Sequence, residues 1–133
     1  MAKQPNEVVT SLRLSADKNT RSAYVKLRRR GSIDFPIAGA AVALRLEGDT
    51  VVHCRIALSA VASHPLEATA AEEFLTGKRV GTETIKETAE IAAKPAKPLD
   101  NADLSHFWRK RMVQVVVEQA IRKAIDQRPG FDG

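Results

Sequence analysis

The chain has 133 residues, 44% of them hydrophobic and 28% charged, a composition that fits one folded domain and excludes an intrinsically disordered chain. Twenty-one basic against sixteen acidic side chains leave a formal charge of +5, which permits an anionic partner without requiring one. The lone cysteine, Cys54, excludes an internal disulfide and a self-contained four-cysteine metal or iron–sulfur site. No apolar run approaches the ~20 residues that span a bilayer. Met1 to Thr10 has no apolar stretch followed by a small-residue cleavage site, so no signal peptide is expected and the expected location is cytoplasmic.

Met1 to Asn6 is polar. From Val8 to Leu14 the side chains alternate, with Val8, Thr10, Leu12 and Leu14 on one side and Val9, Ser11 and Arg13 on the other, which predicts a half-buried strand. Residues 16–20 read as a polar turn, and Ser22 to Leu27 as a second strand closed by the basic run Arg28-Arg29-Arg30. Pro36 has no donor for a ladder and interrupts the pattern after Asp34-Phe35. Ala40–Leu46 and Val51–Leu58, joined by Glu47-Gly48-Asp49-Thr50, predict a hairpin. Its many alanines suit helices packed close on one face.

Beyond Pro65 the period changes. Leu66–Leu75 predicts a short helix stopped at Gly77, and a second helix follows from Thr82 to Ala92. Ala93-Lys94-Pro95-Ala96-Lys97-Pro98 is a stiff connector, with Asp100 or Asn101 as cap of the last helix. That helix carries two adjacent apolar rows, Leu104-Trp108-Met112-Val116-Ala120 and Val113-Val117-Ile121-Ala124, before Gln127-Arg128-Pro129-Gly130 ends it. Strands first and helices after define an α+β fold: a small antiparallel sheet packed against about three helices in two layers, with a long C-terminal helix.

His53, His64 and His106 have no metal-ligand spacing. His53 and Cys54 are adjacent in a strand and point to opposite faces, so they cannot form a catalytic pair, and Cys54 reads as a small buried hydrophobe. The seven glycines form no phosphate-binding loop, and there is no Gly-x-Ser-x-Gly elbow. No complete active site is therefore expected, and whether the chain is an enzyme by itself stays open. Glu72 and Glu73 diverge by about a hundred degrees around a helix, so at least one faces solvent rather than joining an acid/base pair. The run Lys26, Arg28, Arg29, Arg30 has three readings: a solvated strand end, an anion site, or a nucleic-acid contact. The last lacks a broad aromatic platform or a basic recognition helix, and neither nucleic acid nor a membrane is an expected partner.

The order of the pieces carries a resemblance. Pro5-Asn6-Glu7-Val8-Val9 precedes Ser22-Ala23-Tyr24-Val25-Lys26-Leu27-Arg28-Arg29-Arg30 and Asp34-Phe35-Pro36. The hairpin with Arg55-Ile56-Ala57-Leu58 follows, then Pro65, Ala70, Glu72, Leu75 and Gly77, and finally Asp100, Ser105, Trp108 and Arg109. This resembles the C-terminal domain of the FAD-binding medium subunit of molybdenum hydroxylases, the family of carbon monoxide dehydrogenase and xanthine dehydrogenase. The resemblance runs from about Asn6 to Ala124, and the domain it implies covers residues 6–128. It departs from the family where Ser59-Ala60 replaces a common double glycine and Trp108 a usual tyrosine, and the domains that hold the FAD pyrophosphate have no counterpart here.

The resemblance implies an oxidoreductase part. FAD is shared with other domains or a partner, molybdopterin sits in a large subunit, and two [2Fe–2S] clusters in a small subunit pass electrons to the flavin. It places Lys26 near the flavin ring, where a cation favours the charge of reduced flavin, and Val9, with Val8 as the alternative, as an apolar contact on the preceding strand. The alternative function is a stand-alone binding or structural module without flavin, forming a homodimer when isolated.

Overall fold

The computed structural model describes residues 4–13, 17–31, 33–99 and 104–127. Four antiparallel strands, β1 (Thr20–Leu27), β2 (Ala38–Glu47), β3 (Thr50–Ser59) and β4 (Leu66–Glu67), lie side by side in chain order. Gly48, at φ +60, turns β2 into β3 with only Asp49 beside it, because Glu47 pairs with Thr50. That positive φ at the first central position suits the right-handed twist of a tight hairpin. Ala38, Ala40, Val42 and Leu44 point to one face and are buried. A register shift opposite Arg45/Leu46 leaves Val52 as an extra residue, so Val51 and Cys54, three positions apart, are both buried.

Three helices cover that face: α1 (Thr69–Leu75), α2 (Thr82–Ala93) and α3 (His106–Asp126). α3 lies along β1 and β2, and α2 packs on α3 and α1. Leu44, Ile56 and Leu58 of the sheet meet Leu75, Val113, Val117 and Ile121 in one core, all at most 1% exposed. Burying each such side chain fully contributes ~1.5–3 kcal/mol. Alanines at 71, 89, 92, 120 and 124 are buried among them and allow close approach of the helices. An antiparallel sheet layered against three helices, the last of them long, is thus the expected α+β architecture.

Three local expectations need correction. The alternating segment after Val8 is no strand: residues 7–13 are exposed and outside the sheet, because no element among the described residues buries their apolar side, and Leu14 lies outside the described residues. Leu66 and Glu67 extend the sheet as β4, and the helix starts only at Thr69. Asp100 and Asn101 lie outside the described residues, and Leu104 precedes the helix; Ser105 caps α3, its hydroxyl accepting from the Trp108 N–H at 3.3 Å. The buried stripe of α3 then runs through Arg109, Val113, Val116, Val117, Ala120, Ile121 and Ala124, leaving Trp108 at its exposed side.

Candidate functional site

Side-chain alternation leaves the second sheet face open. Its cross-strand rows are Lys26–Gly39–Ser59, Tyr24–Ala41–Ala57 and Ser22–Ala43–Arg55. The middle strand thus presents only small residues. A trough of about 730 Å³ runs over Ala41, Ala43 and Ala57, with Tyr24 on one side and Arg55 and Glu67 on the other. At its end Tyr24 reaches across Gly39, its hydroxyl 3.5 Å from Ser59 Oγ. A Cβ at Gly39 would meet Ser59 Oγ and stand 2.9 Å from the Tyr24 hydroxyl, so this glycine makes room for an aromatic lying across the sheet.

Lys26 stands exposed beside that aromatic, its Nζ donating to Asp34 O at 3.5 Å. The connection between β1 and β2 folds back on the strand end, with Ile37 N–H donating to Leu27 O at 2.8 Å. Asp34 Oδ1 accepts from Phe35 N–H at 2.9 Å, and Oδ2 lies 3.5 Å from Arg30 Nε. That second oxygen is buried without a well-aligned hydrogen bond, so its contact with Arg30 is chiefly coulombic. Partial burial works against ionisation of Asp34, but the Phe35 N–H and the Arg30 charge outweigh it and hold the carboxyl below the usual range.

Arg109 holds this end of the fold together. It is 7% exposed and donates to Leu99 O and Ala60 O at 2.7 Å each, and more loosely to Ile37 O at 3.3 and 3.4 Å. One guanidinium therefore joins the β1–β2 connection, the turn after β3 and the segment before α3. Its rigid fork supplies several donors at once, which an ammonium cannot do. The ordered motifs include Arg109 but give it no role, yet it falls in helical phase with Val113, Val116 and Val117. A cation in phase with a buried stripe signals a buried cation.

On the far side of the trough Glu72 is buried while Glu73 is exposed, as the divergence of the pair implies. Glu72 Oε1 accepts from Ile56 N–H at 2.8 Å, and Ala68 N–H donates to Ile56 O at 2.9 Å. Together they close the β3 edge beyond the short β4. Arg55 Nη1 bridges Glu67 and Glu72 at 2.5 and 3.3 Å. Cys54 faces the core, and burial, with the Glu72 charge in second place, pushes its thiol up to about 12. It is no nucleophile at neutral pH. His53 is exposed on the opposite face. Among the described residues no group of three or more His, Cys, Asp or Glu side chains could hold a metal, and no helix is long and apolar enough to cross a membrane.

The two sequence-derived flavin contacts fall in different settings. Lys26 sits on the ordered sheet; Val9, 56% exposed, lies in the extended segment before it. A flavin ring needs an apolar or aromatic surface and a cation near its pyrimidine edge, and Tyr24 with Lys26 meets that need. A pyrophosphate needs converging backbone N–H groups, usually at glycines. Here the Cβ space of Gly39 is taken by Tyr24 and Ser59, Gly48 makes the hairpin turn, and Gly77, at φ +82, follows α1. Tyr24 and Lys26 thus fit one wall of a flavin site, and these three glycines offer a pyrophosphate no row of converging N–H groups.

A helix-backed antiparallel sheet with Tyr24, Lys26 and Arg55 on its open face defines an α+β domain. The chain belongs to the CO dehydrogenase flavoprotein C-terminal domain family, matched over residues 22–124. It is 32% identical over 122 residues to the carbon monoxide dehydrogenase medium chain of Hydrogenophaga pseudoflava, covering 91% of this chain and 42% of that one. The structure of carbon monoxide dehydrogenase from Hydrogenophaga pseudoflava lacking the Mo-pyranopterin moiety superposes with a TM-score of 0.80 at 34% identity, over 87% of this chain and 40% of that one. Quinoline 2-oxidoreductase from Pseudomonas putida 86 gives 0.78 at 27% identity, over 84% and 39%. The chain spans about two fifths of the length of the curated relatives it matches.

Proposed function

We propose that residues 6–128 serve as the C-terminal domain of the flavoprotein subunit of a molybdenum hydroxylase-type oxidoreductase. The domain helps to cover FAD held mainly by other domains, and docks the molybdopterin-binding and iron–sulfur subunits during electron transfer to flavin. The family match over residues 22–124 carries the reading, because the matched segment includes Lys26 on the open face. When bound, the flavin accepts electrons singly or in pairs and acquires negative charge at its pyrimidine edge. Lys26 supplies the compensating cation, Tyr24 an aromatic edge, and Val9 an apolar contact that excludes water. The backbone under Lys26 is held by its β2 partner and, through Ile37 O, by Arg109. The proposed location is cytoplasmic.

The test compares Lys26→Ala and Lys26→Arg in the assembled enzyme. Alanine is expected to lower flavin content and slow flavin reoxidation, and arginine to retain much of both. Unchanged flavin content and reoxidation in the alanine variant would remove Lys26 from the site. A second reading, a binding module without flavin, is favoured by the lack of a glycine-rich phosphate-loop motif in the sequence. It predicts a colourless native protein of one or two chain masses, without large or small subunits.

A further inference from the structure

The charged groups are unevenly distributed along the sheet. At the end where the β2–β3 turn lies, Arg79 pairs with Asp49 at 3.0 Å; on the helices Arg122 pairs with Glu118 at 2.9 Å and Lys86 with Glu83 at 3.5 Å. The opposite end gathers three segments, residues 26–37, 94–99 and 104–111. Arg109 ties them through Ile37 O and Leu99 O, and Lys110 Nζ donates to Lys94 O at 3.0 Å. Their described residues expose eight Lys and Arg side chains and hold one carboxylate, Asp34, which pairs with Arg30; Arg28 and Arg29 have interaction partners of their own. Asp100 and Asp103 lie outside the described residues. The N-terminus of α3 adds its positive dipole end here.

The same end exposes large apolar side chains from all three segments: Ile33 at 97%, Phe35 at 89%, Phe107 at 75%, Leu99 at 59% and Trp108 at 39%. Phe107 and Arg111 are one helical turn apart and both exposed. Scattered single hydrophobes on a surface need no explanation, but five carried on the three segments that Arg109 ties together do. Aromatic residues with arginine are the composition of protein-docking hot spots, and aliphatic Ile33 and Leu99 offer nothing to a stacked base.

We propose that this end is a docking surface for an acidic protein subunit, one whose carboxylates ring an apolar centre. The inference rests on the reading that the domain docks subunits of the same enzyme, and names the surface and the partner's chemistry. The exposed apolar side chains supply the contact and the basic rim steers the approach. Lys26 lies at the border of this surface, so docking also shields the neighbouring flavin wall from water.

The experiment tags the chain in its source cells, purifies it natively at two ionic strengths, and measures co-eluting molybdenum, iron and flavin. Phe35→Ser, Phe107→Ser and the double variant Lys97→Glu/Arg111→Glu are each expected to cut metal retention at least tenfold, with wild-type melting temperature. Lys123→Glu in the last turn of α3 is the control and is expected to retain the subunits. Retention by the wild type should weaken with salt. Equal retention by wild type and all variants overturns the docking surface and leaves the flavoprotein reading standing. A wild-type chain without molybdenum, iron or flavin overturns that reading and this surface together. Loss of a labelled 20-nucleotide single strand, instead of protein, in the double variant reassigns the end to nucleic acid and overturns the proposal.

Discussion

Replacing Arg109 with alanine removes the group that joins three separate carbonyls. Its two short bonds, to Leu99 O and Ala60 O at 2.7 Å, are charge-assisted, and each such bond contributes ~1.5–3 kcal/mol net. The longer contacts to Ile37 O at 3.3 and 3.4 Å count for less. Water reaches Leu99, which is half-exposed, and relieves part of the loss. The expected destabilisation is therefore about 3–5 kcal/mol, the range for breaking a buried charged network. For a domain of this size that lowers the melting temperature by roughly 10–20 °C. Urea unfolding followed by far-ultraviolet circular dichroism measures it. Arg109→Lys keeps the charge but loses the fork and should fall between. Arg111→Ala, on the exposed side of the same helix, should stay within about 0.5 kcal/mol. An Arg109→Ala variant within about 1 kcal/mol of wild type would refute the claim that this guanidinium holds the end of the fold together.

The remaining predictions concern single sites. Ala60 adopts φ +62, a left-handed conformation that costs a non-glycine residue ~1–2 kcal/mol, so Ala60→Gly should stabilise by about 0.5–1 kcal/mol after the added unfolded-state entropy. A destabilised glycine variant in urea melts would show that the strain is absent. Native Cys54 should resist an aromatic disulfide reagent at pH ~8 and react at once when unfolded, since burial raises its thiol to about 12. Fast native labelling would contradict the packing around it. Asp34 has a folded pKa below its ordinary 3.8, so its contribution is complete above that unfolded value and is lost as pH falls through the folded one. The stability gap between wild type and Asp34→Asn should accordingly shrink on acidification, and a gap that widens in acid melts contradicts the assigned sign.

Local chemistry made much of the fold legible. The β2–β3 hairpin follows from two apolar runs around Gly48, and the last two helices from their apolar spacing. Ordered motifs led to the family and to Lys26, because short pieces such as Tyr24-Val25-Lys26 keep their identity without any knowledge of contacts. The Val8–Leu14 pattern misled for the same reason: alternation reports what a segment is suited to bury and not whether a neighbour is there to bury it.

Tertiary packing decided what periodicity cannot express. The sheet register brought Gly39, Tyr24, Lys26 and Ser59 together from three strands. The single-residue offset at Val52 kept both Val51 and Cys54 in the core. Arg109 became structural because three chain segments come within reach of its fork, and among the described residues two of the carbonyls it binds lie 49 and 72 residues away in sequence. The sequence by itself determined the β2–β3 hairpin and the last two helices and which side of each must be hidden, since those depend on neighbours within a turn or two. Only the folded chain decided which exposed side chains share a surface, because that depends on contacts between residues far apart along it.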